Sequence, residues 1–284
     1  MKYRYYPGCS LEGSAREYDI STQAVMAALG VELLDLEGWT CCGASAADFA
    51  SRLLSLVLPA RNLALAEAAG EPWTLMVPCS ACYLNLRRVT ETIRSKPGTK
   101  ELLNEALAVD GLQMSGTVSV RHLLDILSRD IGASAVRAIV RKPLSGLRIA
   151  PYYGCQCLRP YPVFDDSEAP TSMEPIIEAT GASVFRWHMA GACCGASHIN
   201  THHDAALVMI GAILEDAAGA DAIVTVCPMC QLNLEAFQHR VRTEGARRID
   251  IPVLYLPQLI GLAAGLSPKQ LGLELNLSKP LAVV

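Results

Sequence analysis

Charge, aromatic rings and basic excess are all scarce in this chain. Of its 284 residues, 18% are Asp, Glu, Lys or Arg and 6% are aromatic, and the formal net charge is −4. A chain with that balance has no positive footprint for a phosphate backbone, so no nucleic-acid function is expected. The N-terminus, Met1-Lys2-Tyr3-Arg4-Tyr5-Tyr6, enters a strand-like run at once and lacks the apolar stretch and cleavage site of a signal peptide. The longest uncharged apolar run, 251–266, falls short of the ~20 residues a spanning helix needs. It also contains Pro252, Pro257 and Gln258, and reads as a strand running into a buried helix. A cytoplasmic protein without a membrane span is the expectation. The ferredoxin run C-x-x-C-x-x-C-x-x-x-C-P and the G-x-G-x-x-G fingerprint are both missing, so neither a conventional relay cluster nor a flavin or nicotinamide site is expected on this chain.

Cysteine, by contrast, is abundant. Eleven cysteines in a chain read as cytoplasmic point to metal binding or redox chemistry, because a reducing compartment gives no stable disulfide framework. They fall in a pattern that occurs twice: a single cysteine, an adjacent pair, then C-x-x-C. The first copy is Cys9, Cys41-Cys42, Cys79 and Cys82; the second is Cys155, Cys193-Cys194, Cys227 and Cys230, with Cys157 outside the pattern. The intervals are 31 then 36 residues in the first copy and 37 then 32 in the second. Cys41-Cys42-Gly43-Ala44-Ser45 recurs as Cys193-Cys194-Gly195-Ala196-Ser197, each C-x-x-C is followed by x-Leu-Asn-Leu, and Tyr5-Tyr6-Pro7-Gly8-Cys9 is echoed by Tyr152-Tyr153-Gly154-Cys155. This is an internal duplication of domain size.

Each cysteine group follows a β-type run and precedes a helical pattern. Strands are expected at Lys2–Tyr6, Val31–Leu36 and Thr74–Val77, and again at about Arg148–Tyr152, Ser183–Trp187 and Ala222–Val226. Ser14 with Glu17 reads as a capping box for the helix after Cys9. Asp48 reads as the cap of a helix that Pro59 breaks or restarts before Gly70, and Tyr83 to Arg94 reads as another helix. Alternating strands and helices imply an α/β protein of two pseudo-symmetric domains, each a small parallel sheet flanked by helices, with the cysteine loops at the C-terminal ends of the strands. The expected division is 1–96 and 147–284 as cysteine-rich domains, with 97–146, including Val120 to Asp130, as a helical link.

Five thiols per half exceed the four that close a structural zinc site. Adjacent cysteines point apart and suit metals spread over several ångströms, so the pair favours a polynuclear centre. A cubane cluster also takes four thiolates, which leaves two options open: one spare thiol per half, or a more open cluster.

The two blocks resemble the CCG domain, the cysteine-rich module of the B component of heterodisulfide reductase, across essentially the whole chain. Tyr6-Pro7-Gly8-Cys9-Ser10 and Leu58-Pro59-Ala60-Arg61-Asn62-Leu63-Ala64 are also typical of that component. The resemblance implies two noncubane [4Fe-4S] clusters, one held by Cys9, Cys41, Cys42, Cys79 and Cys82 and the other by Cys155, Cys193, Cys194, Cys227 and Cys230. It further implies a catalytic subunit that reduces a disulfide to two thiols, or runs the reverse, with the bond cleaved between the two clusters. The implied partners are a ferredoxin-like subunit, a flavin-containing subunit, and a small-molecule or carrier-bound disulfide. The shorter final interval of the second copy and the extra Cys157 depart from the pattern. Two roles stay open for Cys157: a packing thiol, or an accessory ligand.

Outside the cysteines, His188, His198, His202 and His203 gather near the second pair, and His198 is the candidate proton donor among them against surface or capping roles. Strand-end packing is the expected role of Tyr5, Tyr6, Tyr152 and Tyr153. Arg87-Arg88 and Arg247-Arg248 read as solvated faces. Competing functions are an electron-transfer or thiol-oxidising subunit of a bacterial sulfur-oxidising complex of the same type, a module of a glycolate- or lactate-oxidising complex, a cluster-based sensor, and a zinc-stabilised scaffold.

Overall fold

Short runs of apolar, aromatic and β-branched residues, most of them ending at a glycine or cysteine loop, make strands too short to stand alone, so each must be paired. The computed structural model describes residues 1–44, 46–241 and 250–278; Arg247 and Arg248 lie outside them. In the first half, β1 (Lys2–Tyr5) leads to α1 (Cys9–Glu12) and α2 (Arg16–Ala28), then β2 (Glu32–Asp35), α3 (Ala46–Ala50) and α4 (Arg52–Ala68). There follow β3 (Thr74–Val77), α5 (Ser80–Ser95), α6 (Thr99–Leu107), β4 (Ser119–His122), α7 (Leu123–Asp125), a π-helical turn over Ile126–Ile131, and α8 (Gly132–Ile139). The second half runs β5 (Arg148–Tyr152), α9 (Glu174–Ala179), β6 (Ser183–Val184), α10 (His203–Asp216), β7 (Ala222–Thr225), α11 (Pro228–Ala236), β8 (Val253–Tyr255) and α12 (Leu256–Ala263).

Two four-stranded sheets result, ordered β2-β1-β3-β4 and β6-β5-β7-β8, and all their pairings are parallel. The duplication therefore extends to topology. In each sheet the chain leaves the first strand in one direction and returns on its other side, so the first and third strands flank a switch point, where the crevice beyond the strand ends is a ready ligand site. Cys9 and Cys79 follow β1 and β3, and Cys155 and Cys227 follow β5 and β7.

Four local expectations change. Val120 to His122, expected within a helical link, is strand: β4 pairs β3 from Ser119↔Thr74 to His122↔Val77. Its alternating burial, with Val120 and His122 inside, fits an edge strand better than a helix face. The segment 97–146 thus completes the first sheet as β8 completes the second. Ser14 does not cap the helix after Cys9, because a turn over 13–15 intervenes and Ala15 precedes α2 with no side-chain cap. Ser51, not Asp48, caps α4 through its hydroxyl and Leu54 N. Nor does Pro59 break that helix, which runs unbroken from Arg52 to Ala68 with Pro59 buried in it; burial of Leu56, Ala60, Leu63 and Ala64 offsets the missing bond.

The halves exchange helices. The helix after the first strand of each half lies on the terminal helices of the other: α2 on α12, and α9 on α8. One hydrophobic core consequently runs from Tyr3 to Leu273 through both halves. Tyr18 of α2 stacks on Tyr255 with ring centroids 4.0 Å apart, a contact worth about 0.5–1.5 kcal/mol beyond its burial. The edge at β4 is tied by Arg121, which donates to Asp125 and Asp130, and by Tyr3, which donates to Asp130 at 2.6 Å.

Candidate metal centre

The loop at the first cysteine and the loop at the cysteine pair in each half contain a glycine in a backbone conformation that other residues rarely adopt. Gly8 and Gly154 hold φ of +75° and +66°, and a Cβ there would stand 2.8 Å from Cys82 Sγ and 2.9 Å from Cys230 Sγ. The sulfur ending each C-x-x-C thus lies in a cradle made by the loop after the first strand. Gly43 and Gly195 also hold positive φ, and each donates its N–H to the sulfur two residues back, Cys41 or Cys193, at 3.4 Å. Cys79 and Cys227 stand at the N-caps of α5 and α11, so Cys82 and Cys230 sit in first turns, at the positive helix ends.

The adjacent pairs are pinned from beneath. Tyr6 donates to Thr40 O and Tyr152 to Ala192 O, each at 2.8 Å, which fixes the carbonyl immediately before each pair. The asparagine of each Leu-Asn-Leu repeat does the same from the other side: Asn85 donates to Cys42 O at 3.2 Å and Asn233 to Cys194 O at 3.1 Å. Asn62, inside the Leu58–Ala64 motif, accepts from Thr40 N and donates to Thr40 O. These positioning roles escaped the sequence reading, although recurrence of Asn in both copies was a usable signal.

The thiols form a near-continuous string. Cys9 and Cys41 sulfurs are 3.5 Å apart, Cys42 and Cys82 3.3 Å, and Cys194 and Cys230 3.6 Å. Electrostatic influence further links Cys41 with Cys42, Cys79 with Cys82, Cys155 with Cys193 and Cys227 with Cys230, and Cys79 with Cys227 across the halves. All ten patterned cysteines line a single cavity of about 150 Å³. Hydrogen bonds from Cys41 and then Cys82 hold the Cys42 thiol well below its usual range, while Cys41 is pushed up by the same interaction. Cys193 is lowered chiefly by Cys155, with Gly195 N–H, His198 and Arg159 assisting, and Cys227 chiefly by Cys230 and Cys79. Cys79, Cys82, Cys155 and Cys230 are in turn pushed up by their thiol neighbours and by burial, so thiolate, the form that binds metal, is favoured at Cys42, Cys193 and Cys227.

Among the described residues, no three His, Cys, Asp or Glu side chains converge as a single-ion site would require. A string of donors with glycine cradles and N–H groups aimed at sulfur fits a polynuclear iron–sulfur group better than zinc, whose four ligands surround one point.

Cys157 lies apart from the string. It is 1% exposed and donates to Tyr153 O at 3.2 Å, and burial pushes its thiol up to about 12; this is the setting of a packing thiol. His198 is exposed in the turn after Cys194, where its charge bears on Cys193. His198 and His202 meet ring to ring, His203 bonds Ile199 O, and His188 faces solvent beside Asp216. Tyr5 bonds Asp19 and Tyr153 bonds Glu174. Arg87 and Arg88 pair with Glu91 and Asp48.

Comparison with known proteins matches residues 3–87 and 149–235 to the cysteine-rich domain called CCG. The chain is 38% identical over 279 residues to a Wolinella succinogenes protein named 8-methylmenaquinol:fumarate reductase membrane anchor subunit, covering 97% of this chain and 96% of that one. It is 31% identical over 283 residues to a Methanosarcina acetivorans protein named as the B component of a ferredoxin/F(420)H(2)-dependent CoB-CoM heterodisulfide reductase, covering 97% and 93%. Among solved structures, a hypothetical protein from Helicobacter pylori shares the fold with a TM-score of 0.77 at 17% identity, over 98% of this chain and 52% of that one. No helix among the described residues is long and apolar enough to cross a membrane.

Proposed function

This chain belongs to the CCG cysteine-rich domain family, and on that premise we propose that it is the cytoplasmic, disulfide-handling iron–sulfur subunit of a heterodisulfide reductase-like complex. The observation that carries the reading is the single cavity walled by five thiols from each half. Cys9, Cys41, Cys42, Cys79 and Cys82 would hold one cluster and Cys155, Cys193, Cys194, Cys227 and Cys230 the other, both of the noncubane [4Fe-4S] type. When bound, such a cluster supplies one electron at a time beside a metal with affinity for sulfur.

Cleaving R–S–S–R′ to two thiols breaks one S–S bond and consumes two electrons and two protons. Two centres on one cavity match that electron count. Electrons come from partner subunits, one ferredoxin-like and one flavin-containing, since this chain has no relay motif of its own. On the protein side, Gly43 and Gly195 N–H groups and the first turns of α5 and α11 stabilise negative charge on the sulfurs. Tyr6, Tyr152, Asn85 and Asn233 hold the loops still, which lowers the reorganisation required as charge changes. On this reading His198, exposed in the turn after Cys194 with its charge bearing on Cys193, would hand a proton to a departing thiolate.

A second reading has one observation in its favour, the 38% identity to a protein named for a fumarate reductase. On that reading the same thiols carry electrons within a quinol:fumarate reductase-type complex and no disulfide is turned over. Anaerobic purification followed by Mössbauer and EPR spectroscopy, with and without a small thiol, separates the two. About four irons per half and signals altered by thiol are expected. Iron present but signals indifferent to thiol and disulfide would favour electron transfer, and stoichiometric zinc without iron would overturn both.

A further inference from the structure

The seam between the two C-x-x-C loops is closed by side chains that the cluster chemistry does not use. Tyr18, fully buried on α2, places its hydroxyl 3.1 Å from Pro78 O and 3.2 Å from Val226 O, the carbonyls immediately before Cys79 and Cys227. Its ring lies flat on Tyr255, at an interplanar angle of 2°, and the Tyr255 hydroxyl is 3.2 Å from Gln231 Oε1, next to Cys230. Ser80 adds a second link, donating to Val226 O at 3.3 Å.

His122 holds that serine in place. Its Nδ1 accepts from Leu124 N at 3.2 Å, so the hydrogen-bond network assigns the proton to Nε2, which faces Ser80 Oγ at 3.2 Å and leaves the Ser80 proton for Val226. The link is built from one side: Ser80 is matched by Pro228 in the second copy, and α9, the counterpart of α2, carries no hydroxyl.

We propose that Tyr18, backed by Ser80 and His122, is a positioning residue that sets the spacing between the two thiol quintets by bridging the carbonyls before Cys79 and Cys227. Five thiols in either half could gather metal without it; a two-electron reaction shared between two centres needs their separation held. The idea rests on the proposed function, in that each quintet is taken to hold iron.

The test uses the full chain, purified without oxygen, with reduced viologen dye as electron donor and an alkyl disulfide as acceptor. Wild-type protein should contain iron in both halves and show magnetic interaction between two reduced centres; a wild type without iron or without that interaction overturns the functional reading itself, whatever Tyr18 does. In Y18F the ring stack remains and only the hydroxyl is lost. Iron content should stay at the wild-type level, the interaction in the EPR spectrum should change, and kcat should fall about tenfold with KM little altered. S80A should shift the spectrum and kcat in the same direction by less, which keeps the idea testable if Y18F does not accumulate. An unchanged spectrum and kcat in the variants, or loss of iron and stability in step with activity, would overturn it.

Discussion

The two halves share a sheet order, a set of five thiols and the tyrosine and asparagine that pin the paired cysteines, yet they treat the thiols differently. Cys9 and Cys41 are exposed, whereas Cys155 and Cys193 are half-buried. In the first half a helix begins at Cys9 itself; in the second, the loop over 155–173 intervenes before α9. That loop brings Arg159, which donates to Ser167 O and Gly191 O and bears on Cys193, and Phe164, which crosses to the first half and stacks over His122. Duplication thus preserved the donor geometry, while a loop of different length changed access and local charge. Two thiol sets of the same pattern are in this way made unequal in access and in local charge.

The largest effect that would sharpen this comparison comes from the cysteines. C79S should empty the first centre and C227S the second, each removing about half the iron and lowering disulfide turnover at least ~100-fold, because one centre alone lacks the second electron. Half-specific loss, read by metal analysis and EPR, is the expected outcome; equal loss from both centres in either variant would show one shared site.

Next comes the seam helix. Burial and the nearby Glu235 push Glu17 up to about 7 from 4.5. Between those values the unfolded chain ionises while the folded chain keeps its proton, so stability falls as pH rises from about 4.5 to about 7, and the penalty persists above that. E17Q should flatten the thermal midpoint across this window and gain on the order of 1–2 kcal/mol at pH 8.

Y152F and Y6F should each cost about 1 kcal/mol or less, measured by thermal denaturation. Y152F should cost more, since Thr40 O keeps the Asn62 amide when Tyr6 is shortened. Equal losses would show that Asn62 adds nothing to the first half. The smallest effect is expected from R159Q, which should lower the potential of the second centre by some tens of millivolts and leave the first unmoved; redox titration followed by EPR resolves the two.

The sequence reading succeeded where strand, cysteine loop and helix signals lie close together, although the strand expected over Ser183–Trp187 shortens to Ser183–Val184. Strand, cysteine loop and helix follow one another within a few residues, so side-chain period and turn residues announce them, and identical pentapeptides announce the duplication. It failed where a local signal was outweighed from elsewhere. The four residues Ser119–His122 run directly into α7, so a helical pattern absorbs them, and pairing with β3 decides that they extend. Ser14 and Glu17 have the right spacing for a cap, but the turn after Cys9 takes their place, and Glu17 is buried in the seam instead. Pro59 survives inside α4 because the surrounding residues are buried.

Sequence alone determined that this protein has two copies of one strand-and-loop unit, each delivering five thiols to the end of a parallel sheet, since that follows from spacing along the chain and from the handed, short-range geometry of strand and helix. Only the tertiary structure decided that the two sets meet. Val226 and Tyr18 stand 208 positions apart, and no local pattern encodes their contact; it arises because α2 and α9 each bury their apolar face against the opposite half, and the burial of those faces turns both sets of loops onto one cavity.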